Sequence, residues 1–205
     1  MRTVDPERHR RRRRQIIEAA TGLFATKGLA KTTTAEICRA AGMSSGNLFH
    51  YFPSKQAIFY GMFELDRDGW DAEFQAAGTD PDPWAALMRV VDRLAAEAAH
   101  PLMAGLLVEV LAQAHRDPEV AALVAETDRR LFRGVAMLVE RLQKEGLADP
   151  GLPPDTAARW VVVITEGFHT RGYTEPDRDH AAEVATAKEL IARALRYTGP
   201  ETSDR

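Results

Sequence analysis

The run MSSGNLFHYFPSK, from Met43 to Lys55, has room for one short helix and no more. Gly42 before it permits the left-handed backbone of a tight turn, Ser44 is suited to cap a helix, and Pro53 ends it. Four ring-bearing residues stand in succession inside that helix: Phe49, His50, Tyr51 and Phe52. Successive helical residues point to different sides, so one buried stripe cannot hold all four rings. Leu48 and Phe52, four apart, are expected to pack inward; Ser45, Gly46, Asn47, Phe49, His50 and Tyr51 then share the exposed side.

The preceding residues give this helix its context. Thr33 and Glu36 have the spacing of a capping box, so a second short helix starts there, with Ile37, Ala40 and Ala41 on its buried side. A longer helix precedes it from about Glu7 to Lys27, with Ile16, Ala20, Leu23 and Phe24 along one face and Gly28 as its stop. A supporting helix, a short helix, a tight turn and another short helix make a helix-turn-helix, whose last helix enters the major groove of DNA. Asn47 is then the candidate for direct base readout, because an amide both accepts and donates at adenine; such a pair is worth about 1 to 3 kcal/mol of discrimination. Phe49 is placed to press on a thymine methyl, and His50 and Tyr51 to donate to phosphate or base. The competing reading is a helical hairpin whose rings are interdomain core, but that does not explain the serines, Gly46 and Lys55 gathered around them.

Helical periodicity continues to the end of the chain, and no run alternates as a strand does. The expected fold is all-α with about nine helices: residues 1–53 as a helix-turn-helix domain with a basic arm, residues 54–205 as a helical domain for effector binding and dimerisation. Helices are predicted from Ser54 to Ala77, Trp84 to Ala99, Leu102 to His115, Pro118 to Lys144, Pro154 to Tyr173 and His180 to Tyr197, separated by proline- and glycine-bearing turns.

Charge divides sharply along the 205 residues. Residues 1–60 carry eleven Lys/Arg against four Asp/Glu, whereas the whole chain has a net charge of -3. This fits a basic end that meets a polyanion and an acidic body repelled by it, or equally a solvated basic tail. Arg10 to Arg14 either form a mobile arm on phosphate or minor groove, or merely raise the local charge. The single cysteine, Cys38, excludes an internal disulfide framework, and no Cys/His cluster suggests a metal or other cofactor. No apolar run is long enough to span a bilayer, so a cytoplasmic location is expected.

The stretch TTTAEICRAAGMSSGNLFHYFPSKQAIF resembles the DNA-binding signature of tetracycline-repressor-type (TetR) transcriptional regulators, in which the recognition helix runs into an L-Y-x-x-F-x-x-K pattern. Leu48, Phe52 and Lys55 match it, as do Gly42 and Thr33 or Thr34; the likeness is specific over Arg12 to Phe63. The segment EVLAQAHRDPEVAALVAETDRRL is similar to a subgroup with a betaine-regulator-like carboxy-terminal half. The resemblance implies that Thr33, Thr34, Tyr51 and Lys55 hold phosphates and that Ser45, Gly46, Asn47 and His50 lie against bases. Phe49 departs from the pattern, for a tyrosine usually stands there, and Ala35 is too short to reach a base edge.

A helix-turn-helix covers only a half-site, so a homodimer on a palindromic operator is expected, its half-sites about 34 to 36 Å apart. Trp160 to Ile164, Val163 among them, and Val184, Ile191 and Leu195 suit a four-helix interface, or else each monomer's own core. The family implies an enclosed small-molecule effector. Met62, Phe63, Trp70, Phe74, Met103, Leu107, Phe132, Trp160 and Phe168 are candidate lining residues, with His115, Glu166 or His169 to orient the ligand, though such a stripe also describes plain core. An enzyme is disfavoured. Glu97 to His100 and Glu166 to His169 have a spacing used in dinuclear metal bundles, but Pro101 pushes His100 out of helical geometry, and no GxSxG, Walker loop or HExxH occurs. A third reading keeps DNA binding and makes the acidic half a dimerising or protein-docking module without a small-molecule response.

Overall fold

The computed structural model describes residues 5–175 and 177–199; the side chains of 172 and 173 lie outside the description. Among the described residues there are nine helices and no strands: α1 (Pro6–Lys31), α2 (Thr34–Ala40), α3 (Ser45–Tyr51), α4 (Lys55–Thr79), α5 (Pro83–Ala99), α6 (Met103–Arg116), α7 (Pro118–Lys144), α8 (Pro154–Thr174) and α9 (His180–Ala194). Packing groups them into two compact units. One is the chain through Asp68 with Gly105–Ala125; the other is Gly69–Ala104 with the chain from Glu126 onward. The first unit therefore takes in α6 and the start of α7 besides the residues expected to read DNA.

Local chemistry sets the boundaries in the first unit. Asp5 caps α1 by accepting the N–H groups of Glu7 and Arg8, and Pro6 sits where its missing donor costs nothing. Ile16, Ala20 and Phe24 form the buried stripe of α1, and they pack with Ile37, Leu48, Phe52 and Phe59 into one core. At Gly28 the backbone swings to φ 79° and ψ 158°, breaking the helix where the sequence predicts its stop; a last turn through Lys31 follows the break. Thr33 and Glu36 then form a complete capping box at the start of α2. Ala40, expected on the buried side of α2, is exposed, and Ala41 is half-buried.

In the second unit α5 is the central element, buried on most of its sides through residues such as Trp84, Leu87, Val90 and Leu94. α9 ends three residues before the predicted Tyr197: Leu195 caps it, Arg196 adopts φ 47°, and the Tyr197 ring turns back to stack on Trp84 with centroids 3.9 Å apart.

The Lys27 ammonium, and after it the N–H and hydroxyl of Thr33, hold the Glu36 carboxyl at about 2, below its ordinary 4.5. A folded value below the unfolded one means that this stabilisation is complete above about 4.5 and disappears as pH falls through about 2. Glu36→Gln is expected to melt below wild type at neutral pH and to converge with it between pH 4.5 and 2, as followed by thermal denaturation at stepped pH. Parallel melting curves across that window contradict the assignment.

Candidate nucleic-acid interface

The turn after α2 closes through Met43 N–H donating to the Cys38 carbonyl (2.9 Å), with Gly42 at φ 61°. Ser44 caps α3 by accepting the Asn47 N–H at 3.4 Å. Two residues then fix how this seven-residue helix is rolled. Leu48 is 0% exposed and Phe52 is 1% exposed, so Ser45 to Asn47, Phe49 and His50 are forced outward while Tyr51 is half-buried. Ser45, Gly46, Asn47 and His50 are exposed, and Phe49 keeps 50% of its surface in water. Apart from its chain neighbours and the helix's own backbone, no atom stands within 4 Å of where a Cβ on Gly46 would be, so this side of the helix is open. An apolar ring held in water among small polar groups is costly in isolation and is useful against a base methyl.

The remaining predicted residues divide differently. Thr34 is half-buried, and the hydroxyl of exposed Thr33 already serves the capping box. Tyr51 is half-buried, its ring 4.9 Å from His9 of α1 and 5.3 Å from His50. Lys55 requires a correction. Its ammonium donates to the carbonyls of Leu29, Ala30 (3.2 Å) and Thr32 (2.7 Å), so all three donors are used inside the protein. It acts as a staple on the end of α1, and its role as a phosphate anchor is withdrawn.

The arginine run is likewise no mobile arm, for Arg10 to Arg14 are all helical. Arg12 donates to the Gly42 carbonyl (3.4 Å) in the turn. Arg13 donates to the Tyr51 carbonyl (3.1 Å) and to Glu64 (2.9 Å), and its guanidinium lies 4.2 Å above the Phe52 ring. These two residues hold the turn and the end of α3. Arg8, Arg10, Arg11 and Arg14 remain exposed and supply the positive surface. Sequence reasoning missed this division, since the partners lie 30 to 51 residues away.

The candidate pocket residues are divided between the two units. Met62, Phe63 and Leu107 are half-buried and His115 is exposed in the first unit, whereas the others belong to the second. There Trp70 is buried, covered by Arg93 at 3.8 Å and stacked on Phe74; Phe132 and Met103 are half-buried. Trp160, 58% exposed, lines a small recess of about 50 Å³ with Leu152, Val161 and Ile191, and Glu166 is exposed. Surrounding protein and then Asp128 nonetheless raise the Glu166 pKa, and burial lowers that of half-buried His169 against the pull of Glu97. An open groove of about 470 Å³ runs between α8 and α9, and Phe168 is the only predicted pocket residue along it. Of the residues expected at a dimer interface, Val163 is exposed and Val184 is half-buried. Ile191 and Leu195 are sealed in the monomer's own core, and Leu190, one position away, is the exposed residue. His100 is the extended cap of α5, and no group of three or more metal-ligating side chains occurs among the described residues. No single described helix is long and apolar enough to cross a membrane.

A basic supporting helix followed by a helix, a tight turn and an outward-facing helix defines a helix-turn-helix protein. Comparison with known families agrees: residues 16–61 match the "Bacterial regulatory proteins, tetR family" and residues 83–196 match "BetI-type transcriptional repressor, C-terminal". The chain belongs to the TetR family of transcriptional regulators. It is 29% identical over 185 residues to the HTH-type transcriptional repressor Rv1474c of Mycobacterium tuberculosis, covering 90% of this chain and 93% of that one. Among solved structures, Salmonella enterica GusR superposes with a TM-score of 0.73 at 22% identity, covering 96% of this chain and all (100%) of the other. FadR from Bacillus subtilis, in complex with stearoyl-CoA, gives 0.71 at 19% identity, over 87% and 96%. At such identities the structural likeness speaks to the fold.

Lys55→Ala is expected to cost about 2 kcal/mol of folding stability, since it strips a cation from three carbonyls. It should leave the dependence of duplex affinity on salt unchanged, because no phosphate contact is lost. Melting and salt-titrated binding of the same sample decide this; a flattened salt slope with unchanged melting would restore the phosphate role.

Proposed function

We propose that this TetR-family regulator is a homodimeric repressor that binds a palindromic operator and is released from it by a small molecule. On this reading residues 1–53 meet DNA and residues 54–205 bind the effector and pair the subunits, in the cytoplasm. Asn47 reads a base edge in each half-site, Phe49 meets a thymine methyl, and Ser45, Gly46 and His50 complete the groove face. Thr33, Thr34, Tyr51 and the exposed arginines of α1 lie along phosphates. The observation that carries the reading is the sorting of α3, with Leu48 and Phe52 sealed while Asn47, Phe49 and His50 stand in water.

Dimerisation is supported by the apolar side chains that α8 and α9 hold in solvent: Trp160, Val163 and Leu190 are 58%, 45% and 48% exposed. Release by an effector is supported by the match of the carboxy-terminal half to a repressor family and by the ligand-bound state of the B. subtilis FadR neighbour. The effector acts by preferring a conformation whose two recognition helices no longer fit successive grooves; a ligand with equal affinity for both states changes nothing.

Selection of bound duplexes from random DNA is expected to return a palindrome with half-site centres about 34 to 36 Å apart. Asn47→Ala should blur one base position in each half, at about 1 to 3 kcal/mol of discrimination. Sequences without two-fold symmetry contradict the dimer. A ligand screen by thermal shift, followed by operator titration, tests release, and a stabilising ligand that leaves operator affinity unchanged counts against it.

A further inference from the structure

The break at Gly28 sets off a last single turn of α1, Gly28 to Lys31, which Thr32 caps by donating its N–H to the Gly28 carbonyl and which leads directly into the groove-facing helices. Its backbone groups are satisfied from two sides. Lys55 takes the carbonyls of Leu29, Ala30 and Thr32, and the Thr32 hydroxyl donates to the Gly28 carbonyl at 2.8 Å. The N–H of Leu29, whose side chain is only 4% exposed, is given to Oε1 of Glu109 at 2.8 Å, a residue 80 positions further on in α6. Gln113, one turn along, donates to the same oxygen at 2.8 Å and fixes the direction of the carboxylate.

Two glycines make this reach possible. A Cβ on Gly28 would stand 3.0 Å from Oε2 of Glu109, and φ 79° already disfavours any other residue there. A Cβ on Gly105 would stand 2.5 Å from the Ala25 carbonyl, so only glycine lets the backbone of α6 lie against the last regular turn of α1. Lys27, next to the break, is paired with Glu36 of α2, and Thr33, next after the segment, caps α2. A shift of the segment therefore moves the start of α2, and α2 carries the turn that aims α3.

We propose that Glu109 is a positioning residue for DNA reading: its carboxylate latches the Leu29 N–H and holds the α2–α3 pair at the angle to α1 that the groove requires. Glu109 touches no DNA in this account. It acts through the backbone that Lys55 grips from the other edge, and the inference rests on the DNA-binding reading given above.

The test uses the full-length protein and the duplex recovered by selection, or a mixed-sequence duplex at low ionic strength. Glu109→Ala is expected to remain helical, to bind the selected duplex about tenfold more weakly with an unaltered salt slope, and to exchange the Leu29 amide hydrogen faster than wild type. Glu109→Gln keeps an acceptor at the same reach and should recover most of the affinity and the slow exchange, which a loss caused by charge alone would not do. If Glu109→Ala does not fold, Glu109→Asp, still charged but one methylene too short, supplies the same contrast with Glu109→Gln. Wild-type affinity in the alanine or aspartate variant overturns the latch, as does an equal loss in Glu109→Gln, or a Leu29 amide whose exchange does not change. A wild-type protein that binds no duplex at low salt refutes the DNA-binding reading, and the latch falls with it.

Discussion

The burial of Leu48 and Phe52 is the constraint from which the character of the first unit follows. Once those two side chains are locked against Ile37, Phe59 and the stripe of α1, a seven-residue helix has no freedom left to roll. Ser45, Gly46, Asn47, Phe49 and His50 are committed to water, whatever that costs Phe49, and only Tyr51 is half-covered. A short helix could not hold such an orientation by itself, because helices of two turns are unstable in isolation. Tertiary packing does it, and so the outward face of α3 is a product of the core beneath it.

Backbone carbonyls and arginines complete what packing begins. The first unit uses its cations in two ways that composition cannot distinguish: Arg12, Arg13 and Lys55 are turned inward onto carbonyls and a carboxylate, while Arg8, Arg10, Arg11 and Arg14 face solvent. Arg12 and Arg13 tie the amino-terminal half of α1 to the turn and to the end of α3, and Lys55 ties the start of α4 to the last turn of α1 and Thr32. Buried or half-buried charge of this kind is stabilising only when its hydrogen-bonding capacity is filled, and for Lys55 it is. The outward set provides long-range attraction that carries no sequence information. On the proposed reading, discrimination is left to a few uncharged or weakly basic side chains on α3.

Much of the fold was legible because its signals are local. Thr33 with Glu36, Ser44, Gly28 and Gly42 mark helix ends through bonds or dihedrals that involve residues within a few positions of one another, and each stands where the sequence places it. The parts that were not legible depend on distant partners. Nothing near Tyr197 announces that it will leave α9 to stack on Trp84, and nothing near Lys55 announces the carbonyls 23 to 26 residues earlier. Of the two readings open for α9, Ile191 and Leu195 take the monomer-core one, and Leu190, one residue and about 100° away, is the exposed side chain that was overlooked; an alanine-rich helix gives a weak stripe. Aromatic and methionine residues beyond residue 54 told of a core, and their split between two packed units could not be read from periodicity.

The central claim is that the outward side of α3 is the surface that meets duplex DNA. Titrating isotope-labelled protein with a short duplex at low ionic strength, while following backbone amide resonances, examines it most directly. The account predicts that the largest changes fall on Ser45 to His50 and on the first turns of α1. Changes concentrated on α8 and α9, or none at saturating duplex, would contradict it.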